Sequence, residues 1–223
     1  MITGRNRYRT LFIGDIHLGS RNCKAERLYH FLWRNNADTI YLIGDVFDGN
    51  MSSRWPAFHD DVIRILCEKA LHGTKIIFIP GNHDGFFRHH IGQFGNLKIV
   101  NHALHKRVNG ELMLVIHGDE TDFFKLESIL WLITKIESLT RIHFWEVLRK
   151  FFKNTIVNHT LAYERKIVTM AMDSNVLGVV CGHIHMPRID NSQGMLYLNP
   201  GDWVHHCTAI AEDYVGNFSL LQG

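Results

Sequence analysis

Five short apolar runs in this chain each stop at a glycine-containing break that is crowded with carboxylate, amide or imidazole side chains. Thr10 to Ile13 leads into Gly14-Asp15-Ile16-His17, and Ile40 to Ile43 into Gly44-Asp45. Lys75 to Ile79 leads into Pro80-Gly81-Asn82-His83-Asp84, Leu112 to Ile116 into His117-Gly118-Asp119, and Leu177 to Val180 into Cys181-Gly182-His183-Ile184-His185. Continuous rather than alternating runs of this length suit buried strands. Between the first two, Leu28, Phe31 and Leu32 are spaced as on one face of a helix over Ala25 to Asn35, which makes a β-α-β unit. A second helical pattern, Val62, Ile63, Leu66, Cys67 and Ala70, stops at Gly73.

The remaining pattern is less regular. Leu97 to Val100 reads as a strand, separated from Leu112 to Ile116 by the turn signal Asn109-Gly110. Further strands are expected near Met195 to Leu198, Thr208 to Ala211 and Phe218 to Leu221. From Asp122 to about Met172 there is neither Pro nor Gly, and Ile129, Leu132, Ile133, Ile136 and Leu139, then Phe144, Val147, Leu148 and Phe151, are helically spaced. Two or three helices inserted at 122–172 in a single domain, 1–223, are expected. The fold class is α/β (α+β).

Composition narrows the function. A 46% hydrophobic, 21% charged chain of 223 residues folds around a substantial core. Lys+Arg 24 against Asp+Glu 22, a formal net charge of +2, is too balanced to attract nucleic acid. The four Cys form no Cys-x-x-Cys pair, so reduced thiols and a cytoplasmic location are expected. No apolar run is long enough to span a bilayer, and the three residues Leu11 to Ile13 are too short for a secretion signal.

The 16 His become informative through their positions. In open α/β sheets ligands bind at the carboxyl ends of the strands, where these runs deliver Asp15 with His17, Asp45, Asn82 with His83 and Asp84, His117, and His183 with His185. Any one of these short motifs arises readily by accident. Together they supply two cation sites of carboxylate, amide oxygen and imidazole, a mixture that suits Mn²⁺, Fe²⁺ or Zn²⁺ better than Ca²⁺. Two adjacent cations grip phosphate oxygens from both sides and activate water for in-line displacement.

In their order, the Asp-x-His, Gly-Asp-x-x-Asp, Gly-Asn-His-Asp, His-Gly-Asp and Gly-His-x-His elements resemble the five blocks of the calcineurin-like metallophosphoesterase superfamily. The resemblance implies a four-layer β-sandwich flanked by helices. It places Asp15, His17 and His185 on one metal, Asn82, His117 and His183 on the other, Asp45 between them, and His83 near the leaving group, steadied by Asp84. Asp48 and Asp119 fall in supporting positions.

Within the superfamily, Asp-Ile-His-Leu-Gly-Ser, Gly-Asp-Val-Phe-Asp-Gly, His-Gly-Asp-Glu-Thr-Asp, the helical stretch after it and Gly201 to Ala209 resemble the UDP-2,3-diacylglucosamine diphosphatase family of lipid A synthesis. That family uses Mn²⁺ at the inner face of the cytoplasmic membrane and releases UMP and a lipid monosaccharide phosphate. Arg21, Arg54 and Asp122 are then candidate substrate contacts. Trp131, Phe144, Trp145, Phe151 and Phe152 among Lys135, Arg141, Arg149, Lys150 and Lys153 suit contact with acyl chains or an anionic membrane, or a core helix with a solvated face. The best-characterised branch has Gly-Asn-Arg-Asp where this chain has Gly-Asn-His-Asp, which leaves open a soluble phosphodiesterase or phosphatase acting on nucleotides or phosphoproteins. A non-catalytic scaffold on the same fold is the remaining alternative, and the full ligand set argues against it.

Overall fold

The structure, a computed structural model, describes residues 6–49, 55–119, 160–191 and 194–223. Its strands form two sheets. The larger has seven strands in the order β12-β11-β1-β2-β3-β5-β4: β1 (Asn6–Gly14), β2 (Asn35–Ile43), β3 (Lys75–Ile79), β4 (Gly92–Phe94), β5 (Leu97–Ile99), β11 (Thr208–Glu212) and β12 (Phe218–Gln222). The smaller has the order β6-β7-β8-β10-β9: β6 (Ala103–Lys106), β7 (Leu112–Val115), β8 (Gly178–Val180), β9 (Arg188–Asp190) and β10 (Leu196–Asn199). Strands β1, β2, β3 and β5 are parallel neighbours, as are β7, β8 and β10. Their carboxyl ends therefore share one edge of each sheet.

The unbroken apolar runs have a simple cause. Successive side chains of a strand point to opposite faces, so a strand reads as continuously apolar only if both faces are covered. Leu11, Ile13, Ile40 and Leu42 pack with α1 (Ala25–Arg34) and α2 (His59–Leu71), while Phe12, Tyr41 and Ile43 on the same strands meet Met113, Val115, Val180 and Leu198 of the other sheet. On the far face of the smaller sheet, Leu114, Val179 and Tyr197 pack against Tyr163, Ile167, Val168 and Ala171 of α3, residues 160–173. Three cores thus separate four layers, helix, sheet, sheet and helix.

Several expectations need amendment. The Asn109-Gly110 turn joins β6 to β7, not Leu97 to Val100 to the following strand, because β6 intervenes and pairs antiparallel with β7 from Ala103↔Val115 to Lys106↔Leu112. Strands β4, β6 and β9, of three or four residues, escape the pattern because each lies at a sheet edge with few buried side chains. Of the stretch at 122–172, residues 160–172 lie in α3; the expected helices of 122–159 lie outside the described residues. No helix among the described residues is long and apolar enough to cross a membrane.

Candidate metal centre

The loops that follow the parallel strands are laced together by backbone hydrogen bonds. Asp15 N–H donates to the Gly44 carbonyl (3.2 Å), His17 N–H to Asp45 (2.8 Å), Gly44 N–H to Ile79 (2.7 Å), Gly182 N–H to His117 (3.0 Å) and Trp203 N–H to Asp15 (3.0 Å). The sheets continue in this way past the last strand residues, and every motif is anchored to its neighbour. Five site residues hold a left-handed backbone: Asp15 (φ 48°), His17 (56°), Asp45 (49°), His183 (70°) and His185 (55°). Asp and His tolerate this region better than most residues, yet it costs on the order of 1 kcal/mol or more each. The gain is directional, because each such residue turns the chain sharply back and leaves its side chain at the common edge.

The donors converge. Asp15, His17 and His185 bring ligand atoms within 4.8 Å of one another, and so do Asp15, Asp45 and His117. Asp45 faces both groups, with Oδ2 at 3.9 Å from His17 Nε2 and Oδ1 at 3.6 Å from His117 Nε2. Asn82 Oδ1 is 3.2 Å from His117 Nε2. The His183 ring lies edge-on to His117 with centroids 5.2 Å apart, and the His183 backbone N–H donates to both Asp15 oxygens at 3.2 and 3.1 Å. All seven side chains expected to bind metal are thus brought to one place.

The chemistry of this set fits cations. His117 Nδ1 faces the Ile43 carbonyl at 3.3 Å, and a carbonyl only accepts, so the proton sits on Nδ1 and Nε2 is directed at Asn82 and Asp45. His17 Nε2 and His185 Nε2 face each other at 3.4 Å. Lone-pair atoms so arranged are stable only with a proton or a cation between them. Protons fill that role in the metal-free chain. Burial opposes charge on His117 and His185, but the Asp45 and Asp15 carboxylates prevail and raise them to about 10 and about 9. Burial likewise opposes charge on Asp45, yet His117 and its neighbours hold it well below the usual carboxylate range, whereas burial lowers His17.

Around the centre, one expectation changes. Asp84 does not steady His83. Its buried carboxylate accepts the N–H groups of Gly81 (2.6 Å), Val46 (2.7 Å) and Phe47 (3.2 Å), which ties the loops after β2 and β3 together. The partner of His83 is Asp48, with Oδ1 at 3.3 Å from Nδ1, while the His83 N–H donates to Asp45 Oδ1 at 2.9 Å. Asp119 takes Arg88 on both oxygens at 2.7 Å, and Arg88 also donates to the Pro80 carbonyl. Arg21 is exposed on the turn after His17; Arg54 and Asp122 lie outside the described residues.

The sequence reading missed Asp202, a fully buried carboxylate with Oδ2 at 3.7 Å from His185 Nδ1. Its signal was available: Met195 to Leu198 followed by Asn199-Pro200-Gly201-Asp202 repeats the apolar run, glycine break and carboxylate of the other motifs. Asn199 was missed too, and its Nδ2 donates to the Gly182 carbonyl at 3.1 Å beneath the His183 loop.

Comparison with known proteins agrees with this geometry. The calcineurin-like phosphoesterase family pattern matches residues 8–187. The chain belongs to that family. It is therefore a metal-dependent hydrolase of phosphoesters, and its family relatives use a dinuclear divalent metal site. Among curated calcineurin-like relatives, proteins named UDP-2,3-diacylglucosamine hydrolase recur. One from Wigglesworthia glossinidia brevipalpis is 24% identical over 81% of this chain and 80% of its own length. One from Shewanella sp. (strain W3-18-1) is 25% identical over 91% and 92%. Among solved structures, a hypothetical protein from Pyrococcus horikoshii OT3 has the same fold, with TM-score 0.53 and 10% identity over 97% of this chain and 87% of that one.

Proposed function

We propose that Asp15, His17 and His185 hold one divalent cation, Asn82, His117 and His183 a second, with Asp45 between them, and that the chain hydrolyses the pyrophosphate of UDP-2,3-diacylglucosamine or a closely related nucleotide-linked lipid, releasing UMP. Mn²⁺ is the proposed metal. The observation that carries the reading is Asp45, one oxygen turned to each group of imidazoles at the edge where all five motifs meet. The substrate rests on the name shared by relatives that align over most of both chains.

Two bound cations would supply Lewis-acid stabilisation of the phosphate oxygens and acidify the attacking water. The chain's own groups do the rest. Asp45 and Asp15 supply the negative charge that keeps cations in a buried site, and Asp45 also fixes the His83 backbone. His83, half-exposed at the mouth, stands where it can donate a hydrogen bond or proton to a departing phosphate oxygen, and Asp48 orients its ring from the Nδ1 side. The aromatic and basic residues of 131–153 are proposed to meet the acyl chains or the surface of an anionic membrane.

The Gly-Asn-His-Asp motif favours a second reading, a phosphodiesterase of soluble nucleotides on the same centre. Incubating the Mn²⁺-loaded protein with UDP-2,3-diacylglucosamine and with a panel of soluble phosphodiesters separates the two. The first reading expects UMP from the lipid substrate. Turnover of the soluble esters alone would replace it with the second.

A further inference from the structure

Asp202 lies in the turn after β10 with no solvent exposure, and its two oxygens have different work. Oδ1 accepts the backbone N–H groups of Val204 (2.7 Å), His205 (2.5 Å) and His206 (3.3 Å). Burial opposes its charge, but the His205 N–H and the His206 ring outweigh that and hold the carboxyl below the usual range. Oδ2 is left facing two imidazoles, His206 Nδ1 at 2.6 Å and His185 Nδ1 at 3.7 Å.

His185 is the ring that needs such a partner. Its backbone is left-handed, it is the last residue of its motif, and its Nε2 must aim between Asp15 Oδ1 (3.2 Å) and His17 Nε2 (3.4 Å). An imidazole that offers the Nε2 lone pair to a cation carries its proton on Nδ1, and a carboxylate on that side fixes both tautomer and ring orientation. No other carboxylate lies near Nδ1 among the described ion pairs.

We propose that Asp202 is the positioning residue for His185, and that His206, which shares the same carboxylate oxygen, competes with His185 for it. The partly exposed His206 then weakens the hold of Asp202 on the metal site. This inference rests on the two-cation reading above.

Its test uses Asp202→Asn, which keeps an oxygen for the backbone N–H groups but replaces the acceptor facing His185 with a donor, together with His206→Gln. Calorimetry with Mn²⁺ alone should find one of the two sites weakened about 10- to 100-fold in Asp202→Asn. The same titration should show tighter binding in His206→Gln, and unchanged affinity there would overturn the competition. Long-range ¹H–¹⁵N spectra of the Zn²⁺-loaded proteins should place the His185 proton on Nδ1 in the natural chain and lose that signature in Asp202→Asn. A purely structural role would leave the His185 proton on Nδ1. Wild-type affinity at both sites of Asp202→Asn, or equal weakening by His206→Gln, overturns the role of Asp202 alone. Failure of the natural chain to bind Mn²⁺ overturns the two-cation reading as well.

Discussion

At the scale of single residues, the centre is a set of charges balanced against burial. His117 and His185 sit at about 10 and about 9 because carboxylates outweigh burial, against an ordinary imidazole value of about 6.5. Folded-state values raised above the unfolded one stabilise the fold fully below about pH 6.5, and that contribution disappears as pH climbs through about 9 to 10. Chelator-treated protein should therefore melt at progressively lower temperature from pH 7 to pH 10, and Asp45→Asn should flatten the decline. A melting temperature independent of pH in the chelated natural chain would refute the assignment of those protons. Cations displace the same protons, so Mn²⁺ uptake at neutral pH should release them, visible as a dependence of the calorimetric heat on buffer ionisation enthalpy. That these side chains would meet was legible in the sequence because each motif closes an apolar run beside a glycine. Their conformation was not, since the left-handed backbone of Asp15, His17, Asp45, His183 and His185 is imposed by neighbouring loops distant in sequence. The partner of His83 was hidden for the same reason: Asp84 is adjacent along the chain, but Asp48 is adjacent in space.

At the scale of elements, the site depends on loops that approach more closely than side chains allow. A Cβ at Gly81 would fall on Asp45 Oδ1 and within 2.6 Å of His117 Nε2, and one at Gly44 would overlap the His117 ring in a backbone that already has φ 67°. Gly81→Ala is expected to lower the stability of the metal-free protein by about 1–3 kcal/mol through overpacking. It should also weaken Mn²⁺ uptake by more than tenfold, as thermal melts and calorimetry would report; uptake at wild-type affinity would contradict the packing described. The long strands, α1 and α2 were readable because a buried element must be apolar on every covered face. β4, β6 and β9 were not, since a three- or four-residue edge strand leaves too short a pattern.

At the scale of the molecule, two sheets must stay in register for their edges to form one site. Apart from the inter-sheet core, a buried polar cluster joins them: Glu212 of β11 accepts from Thr10 Oγ1 (3.1 Å) and Arg9 and pairs with His105 Nε2 of β6 (2.9 Å). Removing one member of a buried ionic cluster leaves the others uncompensated, so Glu212→Ala should cost about 3–5 kcal/mol in denaturant unfolding. Thr10 is five residues before Asp15 along β1, roughly 16 Å at 3.3 Å per residue, so Mn²⁺ affinity of the folded variant should be unchanged. This clamp could not be read from the sequence, because Glu212 and His105 look like ordinary polar residues until the sheets are stacked.

The most direct test of the two-cation centre is the number of Mn²⁺ ions bound per chain, counted by calorimetry on the chelated and reloaded protein alongside Asp45→Asn. Two ions in the natural chain and at most one in the variant are expected. No uptake by the natural chain, or two ions bound equally tightly by Asp45→Asn, would contradict the centre described here.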